Sequence, residues 1–113
     1  MSLAQFVVSD MAVTVKSREV QRGMLSEMSG KAIEAKQHFL AAAHLELVLA
    51  NDYEQSGESE LARRSLISAA SCFWRAGERD HALAIFGDLA DSDPVRAAEV
   101  ADLIDDLKGS ARP

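Results

Sequence analysis

Residues 66–94 constrain the fold more than any other part of this chain, because apolar residues recur at helical spacing on both sides of Gly77. The two stripes are Ala70, Phe73 and Ala76 before the glycine, and Ala82, Ile85, Phe86 and Leu89 after it. Residues three and four positions apart share one face of a helix, and a glycine between two such faces is typical of a turn. We therefore expect a helical hairpin, in which small residues beside aromatic ones allow close packing.

Glycine, serine and proline positions divide the rest of the chain into further helices. With two prolines and six glycines, the composition favours helices over strands. Ser17 is a candidate N-cap, Gly30 and Gly57 are candidate turns, and Asp93 before Pro94 is typical of a helix start. The spacing predicts an all-α fold of about five helices, at residues 17–28, 31–53, 59–76, 78–90 and 94–107.

The two ends of the chain fit the helical pattern less well. Residues 1–15 mix β-branched and polar side chains, so we expect an arm there, with a helix beginning near Ser9 and Asp10 as the alternative. Residues 109–113 should form a tail, which leaves residues 16–108 as one helical domain. The second helix is apolar around most of its circumference, so it should pack against helices on two sides or against another subunit.

The surroundings of Gly30 and Gly77 repeat. Alanine and phenylalanine follow each glycine at offsets of five and nine, and an apolar residue follows at twelve. This order, with Pro94 opening the next helix, resembles the tetratricopeptide repeat, whose units are helical hairpins of about 34 residues. The glycines are 47 positions apart, so one unit is stretched. The resemblance implies a short right-handed superhelix of about two and a half units, although Glu19, Arg22 and Ser26 replace the large apolar residues of the first unit.

Charge and cysteine content exclude several classes of function. A net charge of -6 argues against binding nucleic acid or an anionic membrane surface. The longest apolar run, residues 39–50, contains His44 and Glu46 and is too short to span a bilayer. Residues 3–15 lack the features of a signal peptide. A single cysteine, Cys72, forms no internal disulfide, so we expect a buried thiol in a cytoplasmic protein.

Catalytic and metal-binding patterns find little support. His38 and His44 are six residues apart and face opposite sides of their helix, whereas Glu34 and His38 are better explained as a solvent-facing pair than as metal ligands. No phosphate-binding loop or nucleophile motif occurs. The acidic residues of the last helix indicate a solvated face. We expect no enzymatic activity, no cofactor and no metal.

The resemblance implies a binding groove, because the first helix of each tetratricopeptide hairpin lines the concave surface. The positions carried over are Val20, Met24 and Glu27, then Arg64, Ile67, Ser71 and Trp74, and finally Ala101, Asp105 and Lys108. Since Phe73 already occupies the core position, Trp74 either faces the groove as a partner anchor or packs on the second helix. The basic pattern that clamps a C-terminal carboxylate in some members is absent.

These observations predict a non-catalytic protein-interaction module. Leu40, Leu47 and Leu49 give the second helix more apolar surface than a small bundle covers, so we expect a homodimer. The alternative is a helical bundle that binds a small apolar ligand, or senses a signal, around Met24, Met28, Phe39 and Trp74.

Overall fold

Five α-helices joined by tight turns make up the chain, according to a computed structural model that describes residues 3–110 and the side chains of residues 10–109. The helices are α1 (Leu3–Met28), α2 (Ala32–Gln55), α3 (Ser59–Arg75), α4 (Arg79–Ser92) and α5 (Ala97–Ser110). A single 3₁₀ turn, Pro94–Arg96, precedes α5. The described residues contain no strand, so the all-α prediction is confirmed.

Glycine ends each of the first three helices in the same way. Gly30, Gly57 and Gly77 have φ of 73°, 77° and 85°, in the left-handed region that side chains with a Cβ disfavour. At Gly77 the glycine N–H donates to the Trp74 carbonyl at 3.0 Å, and the next N–H donates to the Phe73 carbonyl at 2.8 Å. The other two turns repeat this pair of bonds, which satisfies carbonyls that the helix end leaves free. All three predicted turns are therefore confirmed.

The repeated positions form the core. The residues at offsets five, nine and twelve after both Gly30 and Gly77 are all buried: Ala35, Phe39, Ala42, Ala82, Phe86 and Leu89. The main cluster also contains Ala70, Phe73 and Trp74 of α3, with Val100 of α5. Alternating alanine and phenylalanine lets neighbouring helices interlock.

Helix α2 lies between two other helices, since it packs against α1 on one side and α3 on the other. Leu49 is buried as a result, and Leu40 and Leu47 are half-buried against the core. The prediction that α2 is covered on more than one side is confirmed. The three leucines that suggested an apolar surplus on α2 are thus buried or half-buried, whereas Ile33 and Val48 of the same helix are exposed.

Helix α1 is longer than its sequence indicated. It begins at Leu3, so residues 3–15 are helical rather than an arm, and Ser17 lies inside the helix. The Ser17 hydroxyl donates to the Val13 carbonyl at 2.9 Å instead of capping a helix start. Contact with α2 buries Ala12 and favours helix over the local β-branched preference. The expectations for residues 1–2 and 111–113 lie outside the described residues.

Polar contacts and small residues join α1 to α2. The Lys16 ammonium lies 3.2 Å from Glu46 Oε1, close enough for an ion pair but not aligned as a hydrogen bond. Glu19 Oε2 lies 2.6 Å from His38 Nδ1. The Gly23 backbone approaches the Phe39 ring so closely that an added Cβ would lie 2.9 Å from two ring carbons. Polar side chains of α1 thus form ion pairs with α2, and Gly23 lets the two helices approach closely.

Ion pairs link the first helices of successive hairpins and also the second helices. Glu27 of α1 accepts a bond of 2.9 Å from Arg75 of α3, and Glu60 of α3 binds Arg96 of the 3₁₀ turn. Lys36 of α2 lies 3.9 Å from Glu78, which precedes α4. The molecule measures 44 × 33 × 16 Å. Because a helix with its side chains is about 10–12 Å across, this slab is thin and leaves much helix surface in contact with solvent.

Candidate functional site

The predicted groove residues of α1 and α3 divide between core and surface. Val20 is half-buried and packs against the main cluster, as does Ile67. Met24 and Arg64 are exposed. Glu27 is engaged by Arg75, and the Ser71 hydroxyl donates to the Ile67 carbonyl at 3.0 Å. Glu27 and Ser71 are therefore committed to contacts within the chain.

Trp74 packs inside the molecule instead of facing solvent. It is only 7% exposed, belongs to the main cluster, and has the Arg79 guanidinium 4.8 Å from its ring centroid. Its neighbour Phe73 is also buried, which places two adjacent aromatic residues in the same core. Of the two alternatives for Trp74, the structure shows the packed one, so this side chain is not an exposed anchor.

The three predicted residues of α5 lie at the surface. Ala101, Asp105 and Lys108 are all exposed, and the side of α5 facing the core carries Val100 with half-buried Leu103, Ile104 and Leu107. The ten predicted residues therefore do not share one surface character. Val20, Ile67 and Trp74 contribute to the core.

An apolar surface that the sequence did not single out lies at the turn between α1 and α2. Its four members, which we call the corner patch, are Met24, Leu25, Met28 and Ile33, exposed by 45%, 61%, 83% and 76%. The first three share the last turns of α1, and Ile33 lies in the first turn of α2. Spacing assigned Ile33 to the apolar face of its helix. In the structure Ile33 is exposed in the first turn of α2, so the spacing did not predict its burial correctly.

A cleft lies between α3, α4 and the 3₁₀ turn. Its volume is about 370 Å³, and we call it the Arg63 cleft; its lining residues are Glu54, Ser59, Glu60, Ala62, Arg63, Leu66, Leu89, Ser92, Asp93 and Arg96. The Arg63 side chain is buried, since the residue is only 8% exposed. Its Nε and Nη2 are enclosed and donate no hydrogen bond. A buried polar group without a partner is uncommon and calls for an explanation.

Arg96 joins two sides of this cleft. Its Nη1 donates to Glu60 Oε2 at 2.8 Å, and its Nε donates to Glu99 Oε2 at 3.1 Å. The hydrogen bond from Arg96 lowers the pKa of the Glu60 carboxyl, and the bonds to Glu60 and Glu99 raise the pKa of Arg96. Arg96 therefore has two carboxylate partners, whereas the neighbouring Arg63 has none among the described residues.

The remaining titratable groups give no reactive centre. Burial, together with the nearby Glu46 carboxylate, raises the pKa of the Cys72 thiol to about 11, so the thiol is protonated at neutral pH. His38 contacts Glu19 rather than Glu34. Within residues that the structure describes, no three histidine, cysteine, aspartate or glutamate side chains lie together as metal ligands.

Neither the described helices nor comparisons with known proteins assign the chain to a membrane or to a family. None of the described helices combines the length and the apolar character needed to cross a bilayer. Comparisons with protein-family models, with curated proteins and with solved structures each found no match to this chain.

Proposed function

We propose that this chain is a non-catalytic protein-interaction module of the tetratricopeptide type, and that it self-associates through its first hairpin. The corner patch is the observation that carries the proposal. Met28 and Ile33 are the most exposed of its residues, and Met24 and Leu25 extend the apolar surface along α1. Soluble monomers rarely leave large apolar groups clustered at one place, and such clusters mark interaction surfaces.

The composition of the corner patch suits a protein partner. Methionine side chains are flexible and polarisable, so Met24 and Met28 adapt to an apposed surface. Exposed Lys31 and Glu34 lie beside Ile33 in sequence, and a polar border around an apolar centre is the usual arrangement in interfaces. A second copy of this chain is the occupant we favour, because repeat arrays bury their end faces by stacking. Such a homodimer would be symmetric, with the same patch on both copies.

Several contacts support the tetratricopeptide part of the proposal. The same glycine turn follows α1 and α3, and the equivalent residues after each turn are buried alike. Pairing of Glu27 with Arg75 brings α1 beside α3, as expected for the first helices of successive units. A right-handed superhelix of about two and a half units is the arrangement we propose. We also propose a cytoplasmic location, which the free thiol of Cys72 supports.

The rival proposal, an apolar ligand pocket around Met24, Met28, Phe39 and Trp74, lacks such support. Met28 is 83% exposed and so cannot wall an enclosed pocket, whereas Phe39 and Trp74 are buried in packed clusters. Catalysis likewise has no candidate residue. Of the charged groups described, Glu46 and Glu27 are used in ion pairs with Lys16 and Arg75 of other helices, and burial keeps the thiol of Cys72 protonated.

Self-association is tested by measuring the mass of the full chain with light scattering coupled to size exclusion, from low to high micromolar concentration. We expect a dimer that dissociates on dilution. The double variant Met28→Glu, Ile33→Glu should be a monomer throughout, because two charges would be buried without partners in the interface. Its thermal stability should be unchanged, since both side chains are exposed.

Val95→Glu is the matched control, since Val95 is 93% exposed on the 3₁₀ turn and lies outside the corner patch. This variant should dimerise like the unmodified chain. A monomeric unmodified chain at high micromolar concentration would contradict self-association. A double variant that still dimerises would show that the interface lies elsewhere.

A further inference from the structure

Comparison of the two repeated hairpins shows that Arg63 lacks the carboxylate partner that the equivalent basic residue has. The offset of 47 residues that relates Gly30 to Gly77 also relates Lys16 to Arg63, so the two basic residues occupy equivalent positions in the first and second hairpins. Lys16 has the carboxylate of Glu46 at 3.2 Å, and that carboxylate is almost completely buried. Arg63 is buried too, yet among the described residues no carboxylate forms an ion pair with its guanidinium, and Glu60, which is bonded to Arg96, interacts with Arg63 only at longer range.

The equivalent acid of the second hairpin is Asp93, and backbone geometry explains why it does not pair. Glu46 lies inside the long helix α2, whereas α4 ends at Ser92 and Asp93 has an extended backbone with φ of -142°. Helix α4 ends one residue before Asp93, so Asp93 does not take up in the second hairpin the helical position that Glu46 has in the first. Asp93 therefore lines the cleft without bonding to the Arg63 guanidinium.

We propose that the Arg63 cleft binds a small monocarboxylic acid with an apolar tail, whose carboxylate pairs with Arg63 as Glu46 pairs with Lys16. The planar guanidinium suits a carboxylate because it can donate two parallel hydrogen bonds. Nε and Nη2 are enclosed, so binding requires the Arg63 side chain to turn towards the cleft. The volume of about 370 Å³ lies within the range of small-molecule sites.

Two neighbouring features suit the two ends of such an acid. The cleft is lined by Ser59 and Glu60 at the start of α3, where the positive end of the helix dipole offsets part of the repulsion from the carboxylates. Leu66, Leu89 and Ser92 line both the cleft and a second cavity of about 220 Å³, which Ile85 and Asp88 also line. An aliphatic tail would lie against its three apolar residues, Leu66, Ile85 and Leu89.

The acidic residues of the cleft set the charge of the ligand. Glu54 and Asp93 line it, and both repel anions. Glu60 is already held by Arg96, and Arg96 is shared between two carboxylates, so Arg63, which acts on Glu60 only at longer range and forms no ion pair among the described residues, is the positive charge left for a ligand. One guanidinium compensates one carboxylate. We therefore expect a monocarboxylate to bind better than a dicarboxylate or a phosphate ester.

The test is a titration of the full chain with octanoate, followed by nuclear magnetic resonance of the backbone amides and the arginine Nε–H groups. We expect saturable shifts of the Arg63 Nε–H signal and of the amides of Leu66, Leu89 and Ser92. Arg63→Met, which keeps an unbranched side chain but removes the charge, should weaken binding by roughly tenfold or more. Arg64→Gln is the matched control: Arg64 is exposed on the same helix, and its variant should bind octanoate normally.

Other ligands and a second variant make the test decisive. Octanol and octanedioate should each bind more weakly than octanoate, since one lacks the charge and the other carries a second. Asp93→Asn removes a competing carboxylate and should tighten octanoate binding, which tests the site even if Arg63→Met fails to fold. No saturable shift with octanoate, equal binding of octanol, or unchanged affinity in Asp93→Asn would each overturn the proposal, as would undiminished binding by a folded Arg63→Met.

This site is separate from the corner patch, so the two proposals fail independently. The monomeric double variant Met28→Glu, Ile33→Glu should bind octanoate as the unmodified chain does, because neither residue lines the Arg63 cleft. Loss of octanoate binding in that variant would overturn the assignment of the ligand to this cleft. Conversely, octanoate binding by a chain that never dimerises would contradict only the proposed self-association.

Discussion

At the scale of single residues, Gly23 lies so close to Phe39 that a Cβ added to the glycine would crowd the phenylalanine ring. The phenylalanine ring is completely buried, with the Gly23 backbone near one part of it and the Arg75 guanidinium 4.4 Å from its centroid. Because the ring is enclosed, it cannot move aside for a larger neighbour. Gly23 thus lets two helices approach closely, whereas the glycines at the turns adopt a positive φ that other residues disfavour.

Gly23→Ala should therefore destabilise the protein. The added Cβ would lie 2.9 Å from Phe39 Cε2 and Cζ, and overpacking costs about 1–3 kcal/mol. The better helix propensity of alanine offsets about 1 kcal/mol of this, so we expect a net loss of up to about 2 kcal/mol. Urea denaturation of the variant and of the unmodified chain measures this difference in the free energy of unfolding.

Gly87→Ala provides the comparison, because Gly87 is also inside a helix and an added Cβ there meets nothing within 4 Å. This variant should gain about 0.5–1 kcal/mol from helix propensity. Equal effects of the two substitutions would contradict the tight Gly23–Phe39 contact.

At the scale of helices, α5 is the element held by the fewest contacts. Val100 is its one fully buried side chain among those described, and the Arg96 ion pairs connect its start to α3. The hydrogen bond from Arg96 lowers the pKa of Glu60, so folding favours the ionised carboxylate. The contribution of this pair is thus present above pH 4.5, the ordinary pKa of Glu60, and is lost as pH falls through the lower folded value.

Arg96→Gln should speed amide hydrogen exchange in α5 at neutral pH, because the link to α3 is removed. The difference from the unmodified chain should shrink as the pH falls through the lowered pKa of Glu60, because the carboxyl is then protonated in both proteins. Arg22→Gln is the control, since Arg22 pairs with Glu19 inside α1 and joins no two helices. A difference that persists unchanged in acid would mean that Arg96 acts through something other than its carboxylate partners.

At the scale of the whole molecule, most helix packing is between sequence neighbours: α1 with α2, α2 with α3, α3 with α4, and α4 with α5. Stability in such a chain depends on each element and its immediate neighbours. Helices α2 and α3 are each covered on both sides and contain Phe39, Leu49 and Phe73, which are fully buried. The ends of the array have one neighbour fewer.

Amide hydrogen exchange of the full chain should follow this order. Protection should be strongest in α2 and α3, intermediate in α4, and weakest in α5, because local opening requires less apolar surface to be exposed at the end of the array. Mass spectrometry of peptides after exchange would measure the protection of each helix. Uniform protection across α2 to α5 would instead indicate a single cooperative unit and contradict the repeat-like behaviour.

Local sequence determined the turns of this protein and its helices, except for the first part of α1. The glycine turns and the buried positions at matching offsets after Gly30 and Gly77 followed from spacing alone, because both depend on residues only a few positions apart. Tertiary structure alone decided the surroundings of each side chain. The burial of Trp74, the exposure of Ile33 and the unpaired guanidinium of Arg63 depend on which helix lies opposite, and where that helix ends. The same spacing rules are satisfied whether or not a neighbour is present, so they cannot distinguish a core residue from a residue of a binding surface.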